Sequence, residues 1–151
     1  MAENKYPLTG FHFTVKWSDD DENISFSDVS GLNVSTKVIE YREGANKELT
    51  TYKMPGLRSY GNVTLKRGSM ASDNGFFDWF DKIQNNTVER REVIISLLNE
   101  KHEAVITWNL KNAFPVKYTP GDLSASKSEV LIENLELAYE SFTVSNGKKK
   151  E

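Results

Sequence analysis

The sequence predicts a mainly β protein, an antiparallel β-barrel or paired-sheet fold with one flanking α-helix. Three observations carry this expectation. Apolar and polar residues alternate in several short runs, turn-forming residues separate those runs, and one stretch alone changes to helical spacing. The chain has 151 residues, a length that suits one domain, 1–151, ending in a flexible tail over about 145–151. Seven or eight antiparallel strands are expected.

Each element follows from its pattern. In GFHFTVKW, Phe11, Phe13, Val15 and Trp17 share one face, while His12, Thr14 and Lys16 share the other. SDDDEN reads as a turn. ISFSDV is a second strand with Ile24 and Phe26 on one face. The break SGL at Ser30–Leu32 leads into NVSTKVIEY, which is extended. The next segment, YREGANKELTTYKMPGLRSYG (Tyr41–Gly61), shows neither strand nor helix period. It is expected to be a long extended loop, and such loops are usually functional or disordered. NVTLKRG is a strand with Val63 and Leu65 inward. SDNGFFDWFDKIQ predicts a helix over about 73–84, capped by Ser72 or Asp73. Phe76, Phe80 and Ile83 fall on one face, flanked by Phe77 and Trp79. REVIISLL and EAVITWNL form a hairpin across NEKH, and YTPGD is a turn. In SEVLIENLELAYESFTV the apolar set changes faces. Leu131, Leu135, Leu137 and Tyr139 lie on one, and Val130, Ile132, Phe142 and Val144 on the other. The switch predicts a bulge or a change of partner.

Composition excludes several classes. A net charge of −3 with dispersed Lys and Arg lacks a basic nucleic-acid footprint. The chain has no cysteine, hence neither disulfides nor thiolate metal sites. MAENKYPLTG has no apolar signal-peptide core, so synthesis in the cytoplasm is expected. No apolar run approaches a membrane span. The N-x-S/T matches at Asn23, Asn33, Asn62 and Asn85 read as chance occurrences in a strand-rich sequence.

Catalytic and metal-binding patterns are missing. His12 and His102 read as surface histidines without a partner at ligand spacing. Asp19, Asp20, Asp21 and Glu22 lack the alternation, central glycine and distal Glu of a calcium loop. The glycines fit turns better than phosphate cradles. The reading is therefore of a non-enzyme with no cofactor and no metal. Strand faces carrying Thr14 and Lys16, Ser35 and Lys37, and Thr64 and Lys66 suit a wall that faces water, in an ordinary solvated sheet or in an aqueous channel made by several subunits. Long unblunted edges must also be closed within the chain or paired between chains. A different class, a monomeric barrel binding a small ligand, remains the alternative.

Along nearly its whole length the sequence resembles the tail-tube proteins of contractile phages and phage-tail-like injection systems, relatives of the type VI secretion tube protein. FHFTVKW, FSDVSGL, EYREG, KMPGLRSYGNVTLKRG, FFDWF, RREVIISLL and NAFPVKYTPGDL carry the resemblance. It implies a structural protomer that forms hexameric rings, stacked into a rigid hollow tube. A contractile sheath surrounds and drives the tube, baseplate, spike and cap proteins sit at its ends, and DNA or a protein effector passes along the lumen. The protein is then part of a virion tail or a tail-like particle. The resemblance further implies that the loop reaches other subunits. Arg42, Glu43, Lys47, Glu48 and Arg58 pair across copies, and Tyr41, Tyr52 and Met54 anchor the contact. Thr14, Lys16, Ser35, Lys37, Thr64 and Lys66 become candidate lumen or inter-strand positions, and Asp78, Asp81 and Lys82 face the sheath or solvent.

Overall fold

The structure, a computed structural model, describes residues 6–17, 26–45, 47–69, 75–81, 89–126 and 128–147. Among these residues nine strands and one helix follow in the order β1 (Phe13–Trp17), β2 (Asp28–Ser30), β3 (Val34–Tyr41), β4 (Tyr52–Tyr60), β5 (Val63–Gly68), α1 (Gly75–Asp81), β6 (Arg91–Leu98), β7 (Ala104–Thr119), β8 (Ile132–Ala138) and β9 (Ser141–Asn146). All pairings are antiparallel. Seven strands form one sheet, and β3 and β4 form a separate two-stranded ribbon.

The 16-residue β7 organises the larger sheet. Its first half pairs with β6 and β9, and its second half with β8. Between the halves Asn112 sits at φ 54°, in the left-handed region that Asn tolerates better than most residues. The strand thus serves a β1–β6–β7–β9 half and a β7–β8–β5–β2 half. Valine and leucine from the two halves meet in the core, where Val15, Val93 and Leu110 join Val63, Leu65, Leu135 and Leu137, all fully buried. The strand continuation through Asn112–Thr119 is not evident from sequence, because Pro115 normally argues against a strand interior. Here it lies at a register shift between Pro115 and Lys117, a place where a missing N–H is tolerated.

The expected change along the final strand is present. β8 ends at Ala138 and β9 begins at Ser141, so the buried set moves from Glu133, Leu135, Leu137 and Tyr139 to the half-buried Phe142. Leu131, grouped on one face with Leu135, Leu137 and Tyr139, is exposed, because it precedes β8. Phe11 is likewise 71% exposed, since β1 starts two residues later. In α1 the core-facing residues are Phe76 and Trp79 rather than Phe76 and Phe80. Trp79 Nε1 donates to the Glu89 carbonyl at 2.9 Å, so the indole can be buried with its polar atom satisfied. Ile24, Ser72, Asp73, Lys82, Ile83, the 19–22 acidic turn and the last residues of the tail lie outside the described residues.

The segment 41–61 is the main correction. The loop covers only 42–51, and Tyr52–Tyr60 is a strand paired with Val34–Tyr41. The Met-Pro-Gly sequence reads as a turn but forms a bulge. The register shifts between Thr36 and Val38, opposite Pro55 and the residues that follow it. Gly56 fits there because a methyl group would meet the Lys37 carbonyl and the Ile39 side chain.

One charged pair is buried among the described residues. Arg67 Nε donates to Glu133 Oε1, both side chains being 7% exposed. The Tyr118 hydroxyl donates to Glu133 Oε2 at 3.1 Å. The Arg67 guanidinium lies 3.9 Å over the Phe76 ring. The cluster therefore ties α1 to β5, β7 and β8. Burial, and then the Glu133 carboxylate, hold the Tyr118 hydroxyl above its ordinary pKa, so it remains a donor. Glu133→Gln removes a carboxylate charge from the buried ion pair with Arg67 and should cost about 3–5 kcal/mol in urea unfolding. Arg67→Met combined with Glu133→Leu should recover more than half of that loss.

Candidate assembly surfaces

The β3–β4 ribbon projects with almost every residue exposed. Eight residues at about 3.3 Å each make it roughly 25 Å long. Its base is packed, where Tyr60 lies 5.2 Å from the Phe142 ring and 5.9 Å from that of Tyr139. Near the base, the Ser35 and Ser59 hydroxyls share a 2.8 Å hydrogen bond. Toward the tip, Tyr41 faces Tyr52 and Ile39 faces Met54. Partners across an antiparallel ladder share a face, and residues two apart share it too. These four apolar side chains therefore form one exposed patch. Glu40 and Lys53 face each other on the opposite side, a favourable cross-strand pair. A lone two-stranded ribbon is marginal in water, and this one leaves its apolar face uncovered.

The anchors expected in a loop, Tyr41, Tyr52 and Met54, are thus on paired strands. Arg42, Glu43, Lys47 and Glu48 belong to the tip, and Arg58 pairs with Thr36 nearer the base. Two ribbon residues were not singled out from sequence. Ile39 completes the patch, and Leu57 is 84% exposed. Their signal is hydrophobicity that no core position uses.

A second surface is the outward face of the β1–β6–β7–β9 half. Registers align Thr14, Ser96, Thr107 and Ser145 in one row, and Lys16, Ile94, Asn109 and Thr143 in the next. All four of the first row carry hydroxyls, and those of Ser96 and Thr107 lie 3.4 Å apart. The intervening rows, such as Val15, Ile95 and Trp108, turn toward the core. Thr64 and Lys66 belong elsewhere. With Lys117, Thr119, Asn134 and Glu136 they line a cavity of about 230 Å³ on the outward face of the other half. Ser35 and Lys37 are on the ribbon, with Lys37 at the bulge. The six polar candidates therefore occupy three places rather than one wall.

The third feature is a pair of open edges. Among the described residues β1 pairs only with β6, and β9 only with β7, so each has one free side there. Among the described residues no group of three or more His, Cys, Asp or Glu could hold a metal, and no helix is long and apolar enough to cross a membrane.

The model of the T4-like virus tail tube protein gp19 family matches residues 9–143. The chain belongs to this tail tube family. It is a structural component of a contractile-system tube, and tail tube proteins assemble into phage tails or tail-like particles. A chain in the structure of the anti-feeding prophage cap (AFP tube-terminating cap) is 32% identical, with TM-score 0.86 over 97% of this chain and 96% of that one. A chain in the extended sheath–tube complex of the PVC extracellular contractile injection system is 34% identical, with TM-score 0.85 over 94% and 93%. Hcp1 from Flavobacterium johnsoniae shares the fold, at 15% identity and TM-score 0.53 over 89% and 95%. No curated protein sequence gives a significant match.

In this tail tube protein, Ile39→Asp with Met54→Asp should change the stability of the unassembled chain little, within about 0.5 kcal/mol for exposed sites. The same pair should abolish tube formation in negative-stain images. A wild-type yield of tubes would show that the ribbon patch is not an assembly surface.

Proposed function

We propose that six copies of this chain close into a ring through β1 and β9, and that the rings stack into the inner tube. The free edges carry this reading. β1 runs antiparallel to β6, β6 to β7 and β7 to β9, so β1 and β9 point in opposite directions. A neighbour rotated about the ring axis keeps its strand directions. Its β1 therefore meets β9 antiparallel, as a ladder requires. Neither strand contains proline. The other half of the sheet ends in the three-residue β2 and in the Pro115 stretch of β7, edges that resist pairing.

Closure abolishes the open edges. Six four-stranded segments at about 4.8 Å per strand give a barrel at least roughly 37 Å across. The row Thr14, Ser96, Thr107 and Ser145 then repeats around the inside as a belt of short hydroxyl side chains. Lys16 and Asn109 lie in the row beside it. Such a lumen binds nothing strongly and lets DNA or a protein effector pass. The protein works as one domain, without catalysis or cofactor.

The ribbons bury their apolar faces on neighbouring copies, within the ring or in the next one. Arg42, Glu43, Lys47, Glu48 and Arg58 set register, since exposed ion pairs contribute only about 0–1 kcal/mol each. The main term is an obligate interface of roughly 2,000–5,000 Å². A sheath surrounds the tube and drives it, with baseplate, spike and cap at its ends. Exposed Asp78 and Asp81 on α1 are candidate sheath contacts. Assembly occurs in the cytoplasm, into a virion tail or a tail-like particle.

The cysteine-free chain makes a direct test simple. Thr14→Cys should be combined separately with Thr143→Cys and Ser145→Cys. Oxidised tubes should give a disulfide ladder up to six copies in at least one combination, because cross-strand Cβ atoms meet disulfide spacing. Tubes that yield only monomers with both pairs refute pairing of β1 with β9.

A further inference from the structure

We infer that His12 and His102 form a two-histidine site for a divalent transition-metal ion of the Zn²⁺, Ni²⁺ and Cu²⁺ class. Their ring centroids are 5.2 Å apart. An imidazole nitrogen binds such an ion at about 2.0–2.1 Å, so two rings on a tetrahedral ion have centroids roughly 5 Å apart. The spacing already suits a shared ion.

The two backbones are held against each other. The His12 carbonyl accepts the Leu98 N–H at 2.8 Å. His102 is the fourth residue of the turn that follows β6, at φ 62°. Non-glycine residues in this region are uncommon and need support from their surroundings. Asn99 provides it: its Oδ1 accepts the Lys101 and Glu103 N–H groups at 2.9 and 3.0 Å, and its carbonyl accepts the His102 N–H at 3.0 Å. The turn thus fixes His102 beside His12 while both remain exposed. The rings stand at 84°, edge toward face, so binding requires one ring to turn. The terminal torsion of histidine is soft, and the exposed position leaves room.

The donor set selects the ion class. Two imidazoles without thiolate suit borderline metals and exclude Ca²⁺ and Mg²⁺, which need oxygen ligands. Among the described residues no third His, Cys, Asp or Glu joins the pair. The ion would fasten the segment before β1 to the β6–β7 turn. An open cavity of about 440 Å³ lies along this junction, between Tyr6–Thr9 and Leu98–Glu103. Each copy in an assembly would carry one such clasp.

The test is calorimetric titration of the full chain with NiCl₂ and CuCl₂, using wild type, His12→Gln and His102→Asn. Asn tolerates the left-handed conformation, so the second variant keeps the turn, and circular dichroism checks the fold of both. Wild type should bind one ion per chain, and each variant should weaken binding about tenfold or more, because the second ligand acts intramolecularly. Cu²⁺ electron paramagnetic resonance should show two nitrogen ligands in wild type and fewer in each variant. Undetectable binding in folded wild type at 100 µM ion, or affinity unchanged in either folded variant, overturns the site.

Discussion

The structure depends on one strand belonging to two half-sheets. β7 gives its first half to β6 and β9 and its second half to β8. Because the strand itself continues through Asn112, the two halves stay one sheet while their apolar faces turn toward each other. Val15, Val93 and Leu110 can then meet Val63, Leu65, Leu135 and Leu137. The helix closes this core with Phe76 and Trp79, and the buried Arg67–Glu133 pair fixes the helix against three strands. A buried pair is weak evidence for net stability. Its effect here is positional, because Arg67 also stacks on Phe76.

The same arrangement leaves surfaces that a lone chain does not satisfy. Folding around β7 places β1 and β9 at the two margins of one half-sheet. It also sends the β3–β4 ribbon away from the core with Tyr41, Tyr52, Ile39 and Met54 on one exposed face. Backbone edges supply direction and register, and apolar area supplies most of the free energy of association. The two devices are complementary. Edge pairing favours neighbours in a ring, and a ribbon roughly 25 Å long can reach beyond its own protomer.

Sequence periodicity made most of the core legible. Val63, Leu65, Leu135 and Leu137 were readable because both strands alternate strictly between buried and half-buried positions. The ribbon was not legible as strands. It has no buried face, so nothing imposes a period of two, and Pro55-Gly56 carries the local signature of a turn. Its exposed residues were nonetheless visible as apolar and charged side chains without a core role. Pro115 masked the second half of β7 for a related reason, since a bulge removes the need for its N–H. The margins β1 and β9 were legible as strands but not as edges, because strand order is a long-range property that alternation does not encode. The polar candidates divided among three surfaces for the same reason. Thr14 and Thr64 have identical local patterns, yet they lie on different halves of the sheet.

Family membership gives the tube, and the proposed closure of its ring rests on the free margins of the β1–β6–β7–β9 half. The most direct measurement is a cryo-electron microscopy map of assembled tubes at a resolution that traces strands. The account predicts an unbroken antiparallel ladder in which β9 of each copy pairs with β1 of the next, with Thr14, Ser96, Thr107 and Ser145 lining the lumen. A map in which β1 or β9 keeps an unpaired edge, or in which those hydroxyls face the outside of the tube, would contradict it.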